Sequence, residues 1–215
     1  LNVNTGYIHS TTVRNYGAIN WQTGDINPNC IGVSGSLINE NTGVININTP
    51  DNRNWYNTTL TNNGTITKAT AYSTQFGDYC GTGSFTNGST GTIVVPGGSI
   101  ITFSNATFLG GIIELEGVIN VNAGASIASG LDMTGTGTLN VNSALNVTAD
   151  YIFQISVINV NFSITGTGKK TYASGVTVNL TNTLTGGGDH EFVLGSVLNV
   201  NTGYIHSTTV RNYGA

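Results

Sequence analysis

The sequence predicts an all-β protein, a parallel β-solenoid (β-helix) of about nine to ten coils with 18–27 residues in each. Three observations carry that expectation. The composition is hostile to helix, a short alternating phrase returns about once per coil, and one 18-residue segment occurs twice without a change.

Of the 215 residues, 33 are Thr, 30 Gly and 29 Asn, all poor helix formers. Charged residues make up 7%, against about 25% in an ordinary soluble domain. The chain is nevertheless unlike a disordered one, which combines low hydrophobicity with high net charge. Its net charge is −4, 38% of its residues are hydrophobic, and Val, Ile and aromatics recur throughout. No apolar run approaches the ~18 residues that would span a bilayer. Six Lys and Arg at a pI near 5.1 argue against nucleic acid as a partner.

The recurring phrase reads LNVNTG from Leu1, VININT from Val44, VINVNAG from Val118, TLNVNSA from Thr138, VINVNFS from Val157 and VLNVNTG from Val197, with looser copies between. Apolar residues alternate within it (Leu1 and Val3, Ile45 and Ile47, Ile119 and Val121), which is the period of a half-buried strand. Asn2, Asn46, Asn120, Asn140 and Asn159 fall on the opposite face. A Gly or Ser precedes each copy, at spacings of 26, 21, 27, 26, 20, 19, 19 and 21 from Gly17, with 18 more to the next Gly. Two coils fit less well. Lys68 stands where an apolar residue is expected, and Val176, Val178 and Leu180 read one step out of register. A repeat of this length cannot bury its apolar face alone, whereas stacking makes a continuous core.

A second phrase precedes the first four strands: TTVRNYG, SLINENTG, TTLTNNG and SFTNGSTG. It places Asn15, Asn39, Asn62 and Asn87 at equivalent positions. Such residues either stack as an amide ladder or serve as turn residues that tolerate left-handed geometry.

Residues 1–18 and 198–215 are identical, an offset of 197. The chain therefore reads as residues 1–197, one solenoid unit of nine coils, followed by 198–215, the first coil of the next unit. In that reading Leu198 and Val200 take the places of Leu1 and Val3, and the unit's partner is another copy of itself, joined head to tail covalently or by stacking.

The NVN, TNNG and GTLNV phrases resemble the β-helical shafts of large bacterial surface adhesins of the filamentous-haemagglutinin and autotransporter kind. The likeness is one of style over essentially the whole chain, so no functional residue comes with it. It implies an extracellular, right-handed β-helical stalk.

Catalytic and ligand sites are sparse. Cys30 and Cys80 sit in similar long repeats, two coils or about 10 Å apart along the axis. They either bridge by mobile loops leaning together or stay as separate thiols. Two cysteines alone do not make a zinc site, and the calcium-loop-like start at Asp25 lacks the Gly and Glu that would close it, so no metal or cofactor is expected. Glu114 and Glu116, with Asp132 in the next coil, are the best pair for cleaving a polysaccharide. A solvated outer face explains them more simply. His9, its copy His206, and His190 read as surface residues. Trp55, Tyr56 and Tyr72 could contact glycans from the outside or pack in the core. Rows of Thr on a flat face would suit ice, but a coil of variable length breaks the row. The expected role is therefore a non-enzymatic repeat unit of an extracellular filament or adhesin stalk, with a polysaccharide-binding or -cleaving β-helix as the alternative.

Overall fold

The computed structural model describes residues 1–4, 11–26, 35–77, 83–206 and 208–213. These residues contain no helix, and their parallel strands stack into a β-solenoid of about ten turns. The chain visits three strand ladders in a fixed order. The first ladder holds Asn2–Val3, Ala18–Trp21, Val44–Ile47, Thr65–Lys68, Thr92–Val95 and Gly111–Leu115. It continues through the opening halves of Leu131–Val141 and Tyr151–Val160, then Lys170–Tyr172, His190–Phe192 and Val210–Asn212. The second ladder holds Arg53–Trp55, Ser73–Gly77, Ile100–Ser104, Val118–Val121, the closing halves of the two long strands, Thr177–Leu180 and Val197–Val200. The third runs from Thr12–Asn15 through Gly35–Asn39, Thr58–Asn62, Ser84–Asn87, Ala106–Phe108, Ala125–Ile127, Ala144–Val147, Ser163–Thr165 and Thr183–Thr185 to Tyr204–His206.

The alternation of the sequence is the alternation of burial. Ile45, Ile47, Ile66, Ile93, Val95, Ile158, Val160, Val178 and Leu180 point inward and are fully buried or nearly so. Aromatic rings add two internal columns. Trp21, Trp55, Phe76, Phe85, Phe103 and Phe108 follow one another at centroid distances of 4.7–5.9 Å. Tyr151, Phe153, Tyr172 and Phe192 do so at 4.3–5.2 Å. Offset and edge-on ring pairs at these separations stabilise beyond the area they bury.

One register expectation is corrected and the other holds. Val178 and Leu180 pair in step with Ile158 and Val160, because the strand begins at Thr177 and Val176 belongs to the turn after Gly175. Lys68 does occupy the inward position beside Ile47. Its ammonium donates to Thr70 Oγ1, and that hydroxyl donates to Thr49 O at 2.8 Å. Burial lowers its pKa to about 8.

The coil lengths keep to the expected range of 18–27 residues, but one coil boundary differs. Asn2, Asn20 and Asn46 are partners, and so are Val44, Thr65 and Thr92, giving the first coils 18, 26, 21 and 27 residues. Thereafter each coil takes 19 or 20. The 26-residue step from Gly91 to Gly117 is therefore longer than its coil. Thr92–Val95 carries Gly111–Leu115 above it, and the next copy of the phrase, Val118–Val121, lies on the second ladder above Ile100–Phe103. Nine coils lead from Asn2–Val3 to His190–Phe192, and Val197–Val200 is one strand further on.

Candidate functional site

The feature that sets this solenoid apart is its columns of stacked Asn amides. One column is internal and follows the third ladder. Asn15 Nδ2 donates to Asn39 Oδ1, Asn39 Nδ2 to Asn62 Oδ1 and Asn62 Nδ2 to Asn87 Oδ1, each at 2.8 Å. The same nitrogens also donate to the carbonyls of Val44, Thr65 and Thr92 at 3.2 Å, which roots the column in the backbone of the following strand. A glycine corner makes the space. A Cβ on Gly91 would stand 2.4 Å from both Asn87 Oδ1 and Asn62 O. The column is closed at both ends: Gly17 N–H donates to Asn15 Oδ1, and Asn87 Nδ2 ends on the carbonyls of Gly91 and Gly110. Left-handed Asn residues occur elsewhere, at Asn57 (φ 43) and Asn105 (φ 61), so the four phrase residues are ladder rungs.

Other columns run along the outside, where the alternation places the second set of Asn residues. On the first ladder Asn46 donates to Asn20 and Asn20 to Asn2, at 2.9 and 3.0 Å. On the second ladder Asn199, Asn179, Asn159, Asn140 and Asn120 each donate to the rung below, ending on Thr102 Oγ1. A parallel row passes from Asn161 through Asn142 to Asn122. Sequence reading located most of these residues on one face but did not identify the bonded rows; their signal was the repeated Asn at coil spacing. Outer rungs donate toward lower residue numbers and inner rungs toward higher ones.

The two copies of the 18-residue segment do not occupy the same place. Val3 lies on the first ladder opposite Trp21, whereas Leu198 and Val200 lie on the second, above Val178 and Leu180. Within the chain the second copy is thus displaced by one ladder, because one strand follows the nine coils that separate the copies. The upper side of that coil is open, leaving Val200 half exposed and Tyr204 and Tyr213 largely so.

The other sequence candidates fall apart spatially or lie inside. Cys30, Cys80 and His9 lie outside the described residues. Glu114 and Glu116 are exposed on the outer side of the first ladder. Val94 and Thr134 are the strand neighbours of Glu114, while Asp132 stacks on Ile112. Two open hollows follow the third ladder, one beside Phe162, Asn182, Thr183 and Tyr204, the other beside Asn105, Thr107, Ser126 and Asn146; neither is lined by Asp or Glu. Trp55 is core, Tyr56 is half-buried with its hydroxyl accepting from Asn54, and Tyr72 is exposed.

His206 is exposed, but His190 is buried, which corrects its reading as a surface residue. It stands at an inward position of the first ladder, its ring stacked on Tyr172 and its Nδ1 3.0 Å from the Tyr172 hydroxyl. Burial, and then the nearby Lys170, lower its pKa to about 4. Lys170 Nζ donates to Gly166 O at 2.5 Å. Burial also pushes the pKa of Lys170 down and that of Tyr172 up.

No protein-family model, curated protein or solved structure matches the chain.

Proposed function

We propose that this chain is a structural repeat unit of a long extracellular filament or adhesin stalk, which propagates end to end by continuing its β-solenoid and performs no catalysis. One observation carries the reading. A segment identical to residues 1–18 recurs 197 residues later and folds onto the preceding coil as its continuation, with Leu198 and Val200 extending the inward rows of Val178 and Leu180.

The surface chemistry supports it. Stacked identical coils would set like charges one above another, at a Coulomb cost that Asn and Thr avoid. Asn rungs instead bond from coil to coil. An open coil also presents unpaired backbone groups that take up another strand. The partner is accordingly another copy of the unit, head to tail, with glycans as ligands of exposed aromatics such as Tyr72.

Electron microscopy of the purified chain tests this. Fibres many times longer than the ~50 Å of ten coils are expected. Discrete particles at every concentration would refute the reading.

A further inference from the structure

We infer that successive 197-residue units are joined with a rotation of one face, a third of a turn, so that the shaft regains its starting orientation only after three units. This rests on the end-to-end reading above and specifies the geometry of the junction.

The shift appears at both strands that are described in the two copies of the segment. Asn2–Val3 is on the first ladder and its copy within Val197–Val200 is on the second. Thr12–Asn15 is on the third ladder and Val210–Asn212, the copy of its last three residues, is on the first. Both move by one ladder in the direction in which the chain winds. The cause lies mid-unit. Phrase strands occupy the first ladder up to Thr92–Val95 and the second from Val118–Val121 onward, because Gly111–Leu115 takes the phrase's place above Thr92–Val95. One unit is therefore nine coils plus one strand, and three units make 28 coils, about 134 Å at ~4.8 Å per coil.

The junction this produces is chemically continuous. Asn199 is the copy of Asn2, so the next unit's Asn20 and Asn46 would stack on it. The outer column of the second ladder and that of the first then become one: Thr102, Asn120, Asn140, Asn159, Asn179, Asn199, followed by Asn20 and Asn46 of the next unit. Donation runs the same way in both segments, so no rung need reverse. Inside, Val178 and Leu180 are followed by Leu198 and Val200, then by the next unit's Ile19 and Trp21. For separate chains, the same alignment lays the next chain's Leu1–Asn4 on Leu198–Asn201, like on like. An unrotated stack would lay it on the first-ladder strand Val210–Asn212, with Asn2 beside Arg211.

Two measurements test the inference. Helical reconstruction of the fibres should give a rotation of about 120° per unit. Fibres with no rotation would overturn it while leaving the filament reading intact. Independently of fibre formation, cysteine pairs report the phase in the single chain with Cys30 and Cys80 replaced by Ser. Val94→Cys with Glu114→Cys, outward strand partners, should form a disulfide, since neighbouring strands bring Cα atoms within the ~4.4–6.8 Å that a bridge requires. A bridge in Val94→Cys with Asn120→Cys instead would put phrase on phrase and overturn it. If no fibre forms, the filament reading fails and the cysteine pairs still decide the phase.

Discussion

The coils before and after Val95 solve the same packing problem with opposite materials. In the first four, the last position of the third-ladder strand is Asn15, Asn39, Asn62 and Asn87, an amide column inside the solenoid. One coil later the strand partner of Asn87 is Phe108, followed by Ile127 and Val147. The later coils also shorten to 19 or 20 residues, and their Asn rows lie outside. An internal amide is tolerated only where every donor and acceptor is met, which the glycine corners make possible. Where the corner closes, the same position must be apolar. In the first coils one residue type thus serves both as interior scaffold and, at Asn2, Asn20 and Asn46, as exterior rung, whereas the bonded Asn rows described in the later coils are exterior; its neighbours decide which.

The comparison can be broken at its seam. Phe103 packs on Phe85 at 4.7 Å and Phe108 at 5.2 Å, joining the two halves. Phe103→Ala should cost about 4 kcal/mol in urea unfolding and uncouple them, seen as two transitions in place of one.

The later half should be the acid-sensitive one. His190 has a folded pKa of about 4 against an ordinary 6.5, so the folded protein holds it neutral. Between those values the unfolded chain binds the extra proton. Stability should therefore fall as pH drops from 6.5 to 4, by about 3 kcal/mol, and this group adds no further loss below pH 4. His190→Gln, which keeps an acceptor for Tyr172, should remove that slope when urea midpoints are compared at pH 7 and pH 4.5.

The two kinds of Asn should separate in the same assay. Asn62→Ala leaves Asn87 Oδ1 without its donor inside the solenoid and should cost about 2 kcal/mol. Asn159→Ala removes a partly exposed outer rung and should cost about 1 kcal/mol or less. Equal losses would mean that the distinction between interior and exterior columns carries no energetic weight.

Much of this was legible because it repeats. The alternation of Leu1 and Val3 or Ile119 and Val121 located the strands, the glycines located the corners, and the four equivalent Asn residues stood out by position, though ladder and turn were equally open for them. The step at Gly111–Leu115 was not legible. IIEL alternates like any strand, and coils of 26 and 27 residues elsewhere made the 26 from Gly91 to Gly117 look like one more coil. Only the pairing of Val94 with Glu114 distinguishes the two. His190 was misplaced for a related reason: after three glycines nothing local says where the next strand starts, and the inward position is set by stacking on Lys170 and Tyr172.

The one-way donation of the outer amide rows gives the shaft a direction. At one tip the last rung offers an oxygen, at Asn199; at the other the first offers a nitrogen, at Asn2. The two ends are different chemical objects, so a terminator with only a donor or only an acceptor could not seal both. In the proposed filament, a molecule that stops growth at the Asn199 end must bring a donor, and one that stops it at the Asn2 end must bring an acceptor.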